Sequence, residues 1–393
     1  MSSLTTIRLG SLGRIITGST PPAAHPEWFA TSGVPFVTPS DIIEGQRRVR
    51  TQRFLSKTGA QEMSRRLIPE NAICFVSIGS TIGKTCFTTS PSVTNQQINS
   101  LVVDESVADP MYIYYALSQI SERVKVTASG SATPILNKTM FAAIELSVLP
   151  LPEQRAIAAT LGALDDKIES NRRAIEIIQH TVSAIFTRWK SEASFGTAST
   201  FGAYADVYGG ATPKTTVPDY WGGGLAWSTP TDVTRLSAPY LFETSRTITD
   251  EGLRSCATVL HPAGTIFMTS RATIGAFAIN QIPAAANQGF IAVRPRREID
   301  RYFLFEEMRS RVDEFLDNAN GSTFLEISRG RFKELSLGVP SPAMLEILNG
   351  QIGPMHRKAA QLALESNRLA TLRDALLPEL LSGRIRTLPK VGM

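Results

Sequence analysis

The chain has 393 residues, 42% of them hydrophobic, and a formal net charge of +5 from 40 Lys and Arg against 35 Asp and Glu. That length and hydrophobic share can bury two ordinary cores and suggest two or three domains, and the small positive excess leans toward a polyanionic partner. No run of eighteen apolar residues occurs, and the opening MSSLTTIRLGSLGRIITG holds no apolar run of signal-peptide length, so a soluble, cytoplasmic protein without a membrane partner is expected. Cys74, Cys86 and Cys256 are widely spaced and form no CxxC, which argues against a disulfide framework or a zinc site and fits a reducing compartment.

From about Thr6 to Leu149 the sequence is rich in Gly, Pro, Thr and short β-branched runs. Ala72-Ile73-Cys74-Phe75-Val76 reads as a buried strand, and Met111 to Val124 as a helix. The same order returns from about Thr200 to Leu337, with Thr265-Ile266-Phe267-Met268 as the strand and Tyr302 to Leu316 as the helix. The two stretches match position by position. Leu9-Gly10 recurs as Phe201-Gly202, Gly18-Ser19-Thr20-Pro21 as Gly210-Ala211-Thr212-Pro213, and Thr38-Pro39-Ser40-Asp41 as Thr229-Pro230-Thr231-Asp232. Thr81-Ile82-Gly83 returns as Thr273-Ile274-Gly275 and Asn95-Gln96 as Asn287-Gln288, always within a residue or two of an offset of 192. Chance matches would scatter in offset, so a large mixed α/β unit is duplicated, and two copies of one domain imply two copies of one binding event.

A nearly glycine-free segment follows each unit. After Leu149-Pro150-Leu151-Pro152 the apolar positions fall at Ile157, Leu161, Leu164, Ile168, Ile175, Ile178, Val182, Ile185 and Trp189, with Asn171 filling the one gap. This is a heptad seam with a single polar position, a device that fixes register at some cost in stability. After Pro340-Ser341-Pro342 a second seam runs through Leu345, Leu348, Ile352, Met355, Ala359, Leu362, Leu369 and Leu376, with Ser366 and Arg373 on it, and Ser382-Gly383 ends it. Gly350 and Gly353-Pro354 predict a kink or a fresh start there. Two seams in one chain most simply pair with each other, antiparallel, as a rod with a domain at each end; the alternative is that each helix packs on its own domain. The expected fold class is α+β: two repeated mixed α/β domains separated by a pair of long antiparallel coiled-coil helices. The expected boundaries are a first domain over residues 1–150, a helical spacer over 151–190, a linker over 191–200, a second domain over 201–338, a C-terminal helical spacer over 339–386 and a tail over 387–393.

The segment Leu149-Pro150-Leu151-Pro152-Glu153-Gln154-Arg155-Ala156-Ile157-Ala158, continued through Leu164-Asp165-Asp166-Lys167-Ile168, resembles the central conserved region of the specificity subunit of type I restriction-modification enzymes. Leu372-Arg373-Asp374-Ala375-Leu376-Leu377-Pro378-Glu379-Leu380-Leu381-Ser382-Gly383 resembles the distal conserved region of the same family, and the Gly-x-Thr-Pro and Asn-Gln marks match its target recognition domains. The resemblance covers essentially the whole chain. It implies two domains that each read one half of a split, asymmetric site in double-stranded DNA, held at a fixed separation by the helices. It also implies two methyltransferase subunits that dock on the chain and methylate an adenine amine, and ATP-driven restriction subunits that translocate and cut DNA. No cofactor is then needed in this chain; S-adenosylmethionine, ATP and Mg belong to the partners.

The residues agree that the chain is not itself an enzyme. No N-P-P-[YFW] or D-P-P-[YFW] motif for a flipped adenine is present. Gly79-Ser80-Thr81-Ile82-Gly83-Lys84-Thr85 is one residue short of a phosphate-binding P-loop and reads as a strand followed by a glycine turn. His25, His180, His261 and His356 are scattered and suggest surface or packing roles, with no metal site. Candidate DNA contacts are the basic cluster Arg47, Arg48, Arg50, Arg53, Lys57, Arg65 and Arg66, then Lys84, and in the second domain Lys214, Arg235, Arg246, Arg254 and Arg271. Residues shared at the 192 offset cannot distinguish two half-sites, so reading residues are expected where the halves differ: Glu44 to Arg66 against Thr234 to Arg254, then Gly130 to Asn137 against Gly321 to Ser328. Two other readings stay open, an orphan DNA-binding protein of the same fold and a nuclease or methyltransferase in its own right.

Overall fold

The structure, a computed structural model, describes residues 4–43, 45–128, 135–192, 197–321 and 325–386. Glu44, positions 130–134 and 322–324 of the two divergent loops, positions 193–196 of the expected linker and the tail 387–393 lie outside the described residues. The chain forms two compact units, Met1–Glu169 with Arg368–Met393 and Ser170–Asn367. Each unit therefore takes part of the central helix, Leu151–Glu192, and part of the C-terminal helix, Pro342–Leu381.

In the first unit an antiparallel sheet runs in the order Gly13–Thr17, Ile98–Val103, Ile73–Val76, Thr85–Phe87. Ile73–Val76 is fully buried, which explains its uninterrupted apolar run. A smaller sheet holds Phe29–Ala30, Phe54–Leu55, Val34–Val37 and Val93–Thr94, the last pair parallel. Thr5–Arg8 pairs antiparallel with Glu145–Val148 and so brings the two ends of the domain together. The helix read from Met111 spans Pro110–Ala128.

The second unit repeats this plan. Its main sheet runs Asp206–Gly209, Phe290–Arg294, Ile266–Thr269, Phe277–Asn280, with Tyr240–Leu241 added at the edge. The smaller sheet is Arg246–Ile248, Trp221–Ser228, Ala284–Ala286. Residues Thr197–Thr200, expected within a linker, form a strand paired with Ser336–Val339, the counterpart of the closing pair in the first unit. The single helix expected from Tyr302 to Leu316 is two helices, Arg301–Arg309 and Val312–Asp317. Arg311 leaves helical geometry between them, and its guanidinium bonds Glu314, Glu307 and the Ser336 carbonyl.

Gly18 and Gly210 show why the duplication keeps its glycines. A Cβ at Gly18 would sit 2.1 Å from the Asn95 carbonyl oxygen and 2.3 Å from that of Thr94; at Gly210 the distances are 2.0 Å to Asn287 and 2.3 Å to Ala286. No side chain fits at either position.

The central helix begins at Leu151, between the two prolines, with Pro152 in its first turn. The Pro150 carbonyl accepts from the Glu153 and Gln154 amides, while the buried Gln154 side chain donates to the Leu149 carbonyl at 2.7 Å and accepts from the Asp109 amide at 2.9 Å. Within the first unit this helix packs antiparallel on the C-terminal one, since Leu149 lies beside Gly383 and Asp165 beside Arg373. Ile157 and Leu161 share a core with Leu380 and Leu381. The deepest row then passes through Asp165, leaving Leu164 and Ile168 only partly buried. In the second unit the buried row is Asn171, Ile175, Val182 and Phe186, with Ile178, Ile185 and Trp189 packed against the same core. Asn171 donates to Glu365 Oε2 at 2.9 Å and to Ser366 Oγ at 3.3 Å, so the one polar seam position is satisfied.

Of the kink or fresh start expected at Gly350 and Gly353-Pro354, the fresh start is absent; Pro342–Leu381 is one helix. A proline inside a helix costs about 3 kcal/mol. Leu345, Leu348, Ile352 and Ala359, on both sides of the pair, are fully buried, and each large side chain returns roughly 1.5–3 kcal/mol, so packing outweighs the break.

Candidate nucleic-acid interface

Within the first pair of divergent stretches, Phe54–Leu55 with Lys57–Glu62 and Arg246–Ile248 with Asp250–Arg254 fold into the same part of each unit, the lobe built on the smaller sheet. In the first unit Leu55 pairs with both Phe29 and Val34, and in the second Ile248 pairs with both Trp221 and Leu225, so the chain makes an excursion and returns to the same partner. A short helix follows, Lys57–Glu62 or Asp250–Arg254, capped by Ser56 Oγ accepting from the Gly59 amide at 3.2 Å or by Thr249 Oγ1 accepting from the Gly252 amide at 3.0 Å. The cap residues are themselves tethered alike: the Ser56 amide donates to the Trp28 carbonyl and the Thr249 amide to the Tyr220 carbonyl.

The shared residues hold these lobes together. Thr38 donates from its amide and its hydroxyl to Asp41 Oδ2, both at 2.8 Å; Thr229 does the same to Asp232 Oδ2 at 2.7 and 2.8 Å. Thr20 Oγ1 donates to Gln96 Oε1 and Thr212 Oγ1 to Gln288 Oε1. The Asn95 amide reaches the Val37 carbonyl and the Asn287 amide that of Ser228. What the halves have in common is internal bonding, and the exposed side chains of the lobes are where they differ.

The basic residues separate into two groups. Arg47 faces inward: its side chain is 10% exposed and donates to the Gly162 carbonyl at 3.3 Å and to Asp166, both on the central helix. Burial works against its charge, but the neighbouring Tyr115 and Asp166 outweigh it and hold the guanidinium pKa above its usual value. Arg48 donates to Asn71 Oδ1 at 3.1 Å, Arg50 lies 3.6 Å from Glu169, Arg53 bonds Thr38 Oγ1, and Arg66 donates to the Thr17 carbonyl at 3.0 Å. Lys84 donates to the Ile42 carbonyl at 3.2 Å, and Arg271 pairs with Glu326 at 2.8 Å. Lys57, Arg65, Lys214, Arg235, Arg246 and Arg254 are exposed. Lys57 and Arg65 stand on the short helix and turn of the first lobe, Arg246 and Arg254 on the matching strand and helix of the second. The seven residues of the first basic cluster are thus not one surface patch.

A model of the family described as the type I restriction modification DNA specificity domain matches residues 1–180 and 203–350. The chain belongs to this family. Among curated relatives, the specificity subunit of the type I restriction enzyme MjaIX of Methanocaldococcus jannaschii is 37% identical over 139 residues, 35% of this chain and 32% of that protein. The specificity subunit of the type I restriction enzyme HindI of Haemophilus influenzae is 33% identical over 177 residues, 43% of this chain and 38% of that protein. The match thus spans about a third of the length of these relatives. The crystal structure of the S subunit of the type I restriction-modification system of M. genitalium has the same fold, with a TM-score of 0.63 at 18% identity, over 97% of this chain and 96% of that one.

Within this type I specificity chain, several features that sequence reasoning singled out have structural explanations. Gly79 to Thr85 joins two antiparallel strands of the main sheet; a P-loop would lead into a helix, and here Lys84 is spent on a carbonyl. His356 is buried, stacked on Tyr302 at 4.4 Å with Nδ1 3.0 Å from the Tyr240 hydroxyl, and burial drives its pKa down to about 3. Among the described residues no helix is long and apolar enough to cross a membrane. What sequence reasoning missed is an aromatic pair in each lobe, Phe29 with Phe36 and Trp221 with Trp227. The signal was present: Pro26-Glu27-Trp28-Phe29 and Pro218-Asp219-Tyr220-Trp221 stand at the same offset of 192, similar in character but not identical.

Proposed function

We propose that this chain is the sequence-specific recognition subunit of a type I restriction-modification complex and performs no chemistry itself. Each unit reads one half of a bipartite, asymmetric site in double-stranded DNA. Two methyltransferase subunits and the restriction/translocase subunits dock on it in the cytoplasm, bringing S-adenosylmethionine, ATP and Mg. One observation carries this reading: the two lobes repeat their Thr–Asp and Thr–Gln hydrogen bonds at matching positions, yet differ in the exposed side chains they present. A duplicated scaffold with divergent surfaces is what two different half-sites require, because contacts shared by the lobes position them on DNA and only contacts that differ between the lobes can tell the half-sites apart.

The test is an exchange. Residues 201–338 are replaced by the corresponding domain of a family member that modifies a different sequence, and the hybrid is assembled with its methyltransferase subunits. One half of the modified motif should change and the other stay. A hybrid that changes both halves, or neither, would refute the assignment of one half-site to each unit.

A further inference from the structure

Arg246 lies with its guanidinium carbon 3.5 Å from the centroid of the Trp221 ring and 5.6 Å from that of Trp227. The indoles meet edge to face, 5.0 Å apart at 86°. Both are pinned, Trp221 Nε1 donating to the Lys214 carbonyl at 3.3 Å and Trp227 Nε1 to the Ala211 carbonyl at 3.1 Å. Stacking occupies the face of a guanidinium and leaves its N–H edge available. Among the described residues Arg246 has no carboxylate partner.

The first unit holds the same arrangement with its arginine committed. Phe29 and Phe36 meet edge to face at 5.5 Å, and Arg53 stands 6.0 Å over Phe36. Its N–H edge donates to Thr38 Oγ1 and lies 3.7 Å from Asp41 Oδ2. In the second unit Asp232, the counterpart of Asp41, keeps the matching bonds from Thr229 and, in place of an arginine, accepts from the Ser245 amide at 2.9 Å. One duplicated position therefore carries an engaged arginine in one half and an oriented, unengaged one in the other. In the strand Trp221–Ser228, between Trp221 and Leu225, Gly224 has no left-handed backbone and no atom within 4 Å of where a Cβ would stand, so nothing within the chain requires glycine there. A missing side chain in this strand leaves open space on the surface of the lobe for close approach of a ligand.

We propose that Arg246 is a base-reading residue of the second domain, presenting its fixed N–H edge to the O6 and N7 acceptors of a guanine in the major groove, and that Arg53 reads no base. This rests on the DNA-recognition function proposed above. Bidentate recognition of guanine needs a planar fork held in one orientation, which the indole supplies in advance of binding. A phosphate contact has no such requirement.

The experiment uses the full chain assembled with its methyltransferase subunits, acting on a pool of randomised duplexes whose modified members are sequenced. Arg246→Lys keeps the charge and loses the fork; preference at a single guanine of one half-site should fall roughly 5- to 150-fold, with the other half-site unchanged. Arg53→Lys should leave the motif intact. Trp221→Leu, which removes the stacking face and keeps the arginine, should loosen the same guanine, and this second variant decides the matter if Arg246→Lys proves unstable. An unchanged motif in Arg246→Lys or Trp221→Leu, or an equal loss on all duplexes as expected for a phosphate contact, would overturn the assignment. A wild-type complex that modifies no two-part motif would overturn the broader function and this inference together, so the two failures are told apart by the wild type.

Discussion

Arg373 Nη1 donates to Asp165 Oδ1 at 2.7 Å, joining the C-terminal helix to the central helix inside the first unit. Both side chains are largely buried, and Asp165 Oδ2 accepts from the Tyr115 hydroxyl at 2.6 Å, so the pair also ties the helices to the domain helix Pro110–Ala128. Asp374 takes a second edge of the same guanidinium at 2.7 Å. Arg373→Ala should destabilise the first unit by about 3–5 kcal/mol, because it strands a buried carboxylate, whereas Asp165→Leu with Arg373→Leu should recover most of that loss. Urea titration of the single and double variants checks it; equal losses in both would mean the ion pair itself stabilises the seam.

Arg47 and Arg65 should behave as different kinds of residue although they sit in one basic run. Arg47→Ala removes bonds to Gly162 and Asp166, so it should cost about 1–3 kcal/mol in stability. Arg65→Ala and Lys57→Ala, at exposed positions, should change stability by less than about 0.5 kcal/mol. If these two touch phosphate, each should weaken binding to target and non-target duplex alike and lower the salt slope by about 0.9. Thermal melts and salt-dependent binding titrations on the same samples separate the two behaviours.

The duplicated glycines give a prediction with an internal control. Gly18→Ala and Gly210→Ala would each force a Cβ to about 2 Å from a carbonyl oxygen. Each should destabilise its own unit by more than about 2 kcal/mol and by similar amounts. Hydrogen exchange, read unit by unit, would show protection lost only on the side that carries the substitution.

His356 supplies a pH dependence. Burial holds its folded-state pKa near 3, below the ordinary 6.5, so the unfolded chain binds a proton that the folded one refuses. Stability should therefore fall as pH drops from about 6.5 toward 3, at up to about 1.4 kcal/mol per pH unit for this group. His261, lowered to about 4 by burial, adds to the same trend. His356→Gln should remove about one proton from the slope between pH 6.5 and 5, where the protein can be compared with its variant by denaturant titration. An unaltered slope would mean His356 is protonated in the folded chain.

The sequence made the duplication legible because its scaffold bonds are made by side chains, and Thr38, Asp41, Thr20 and Gln96 leave the same marks at positions 229, 232, 212 and 288. The helical seams were legible for the same reason, as burial of Ile157, Leu161, Ile175 and Val182 needs apolar residues at heptad spacing. Asp165 was not, since a carboxylate reads as surface until its partner, 208 residues on, is known. Arg47 misled in the same way, its partner Asp166 lying 119 residues ahead. Gly353-Pro354 did not bring the fresh helix start that a glycine-proline pair suggests, because packing on both sides continues through it, and the helix expected across Ser310-Arg311 is interrupted where Arg311 leaves helical geometry.

The central claim, that one chain reads two half-sites with two copies of one lobe, is tested most directly by sequencing methylated adenines in DNA from cells that express the chain with its methyltransferase subunits. The account predicts a motif of two unlike specified parts separated by a run of unspecified bases, with one modified adenine in each part. A contiguous motif, or two identical half-sites despite the divergent lobes, would contradict it.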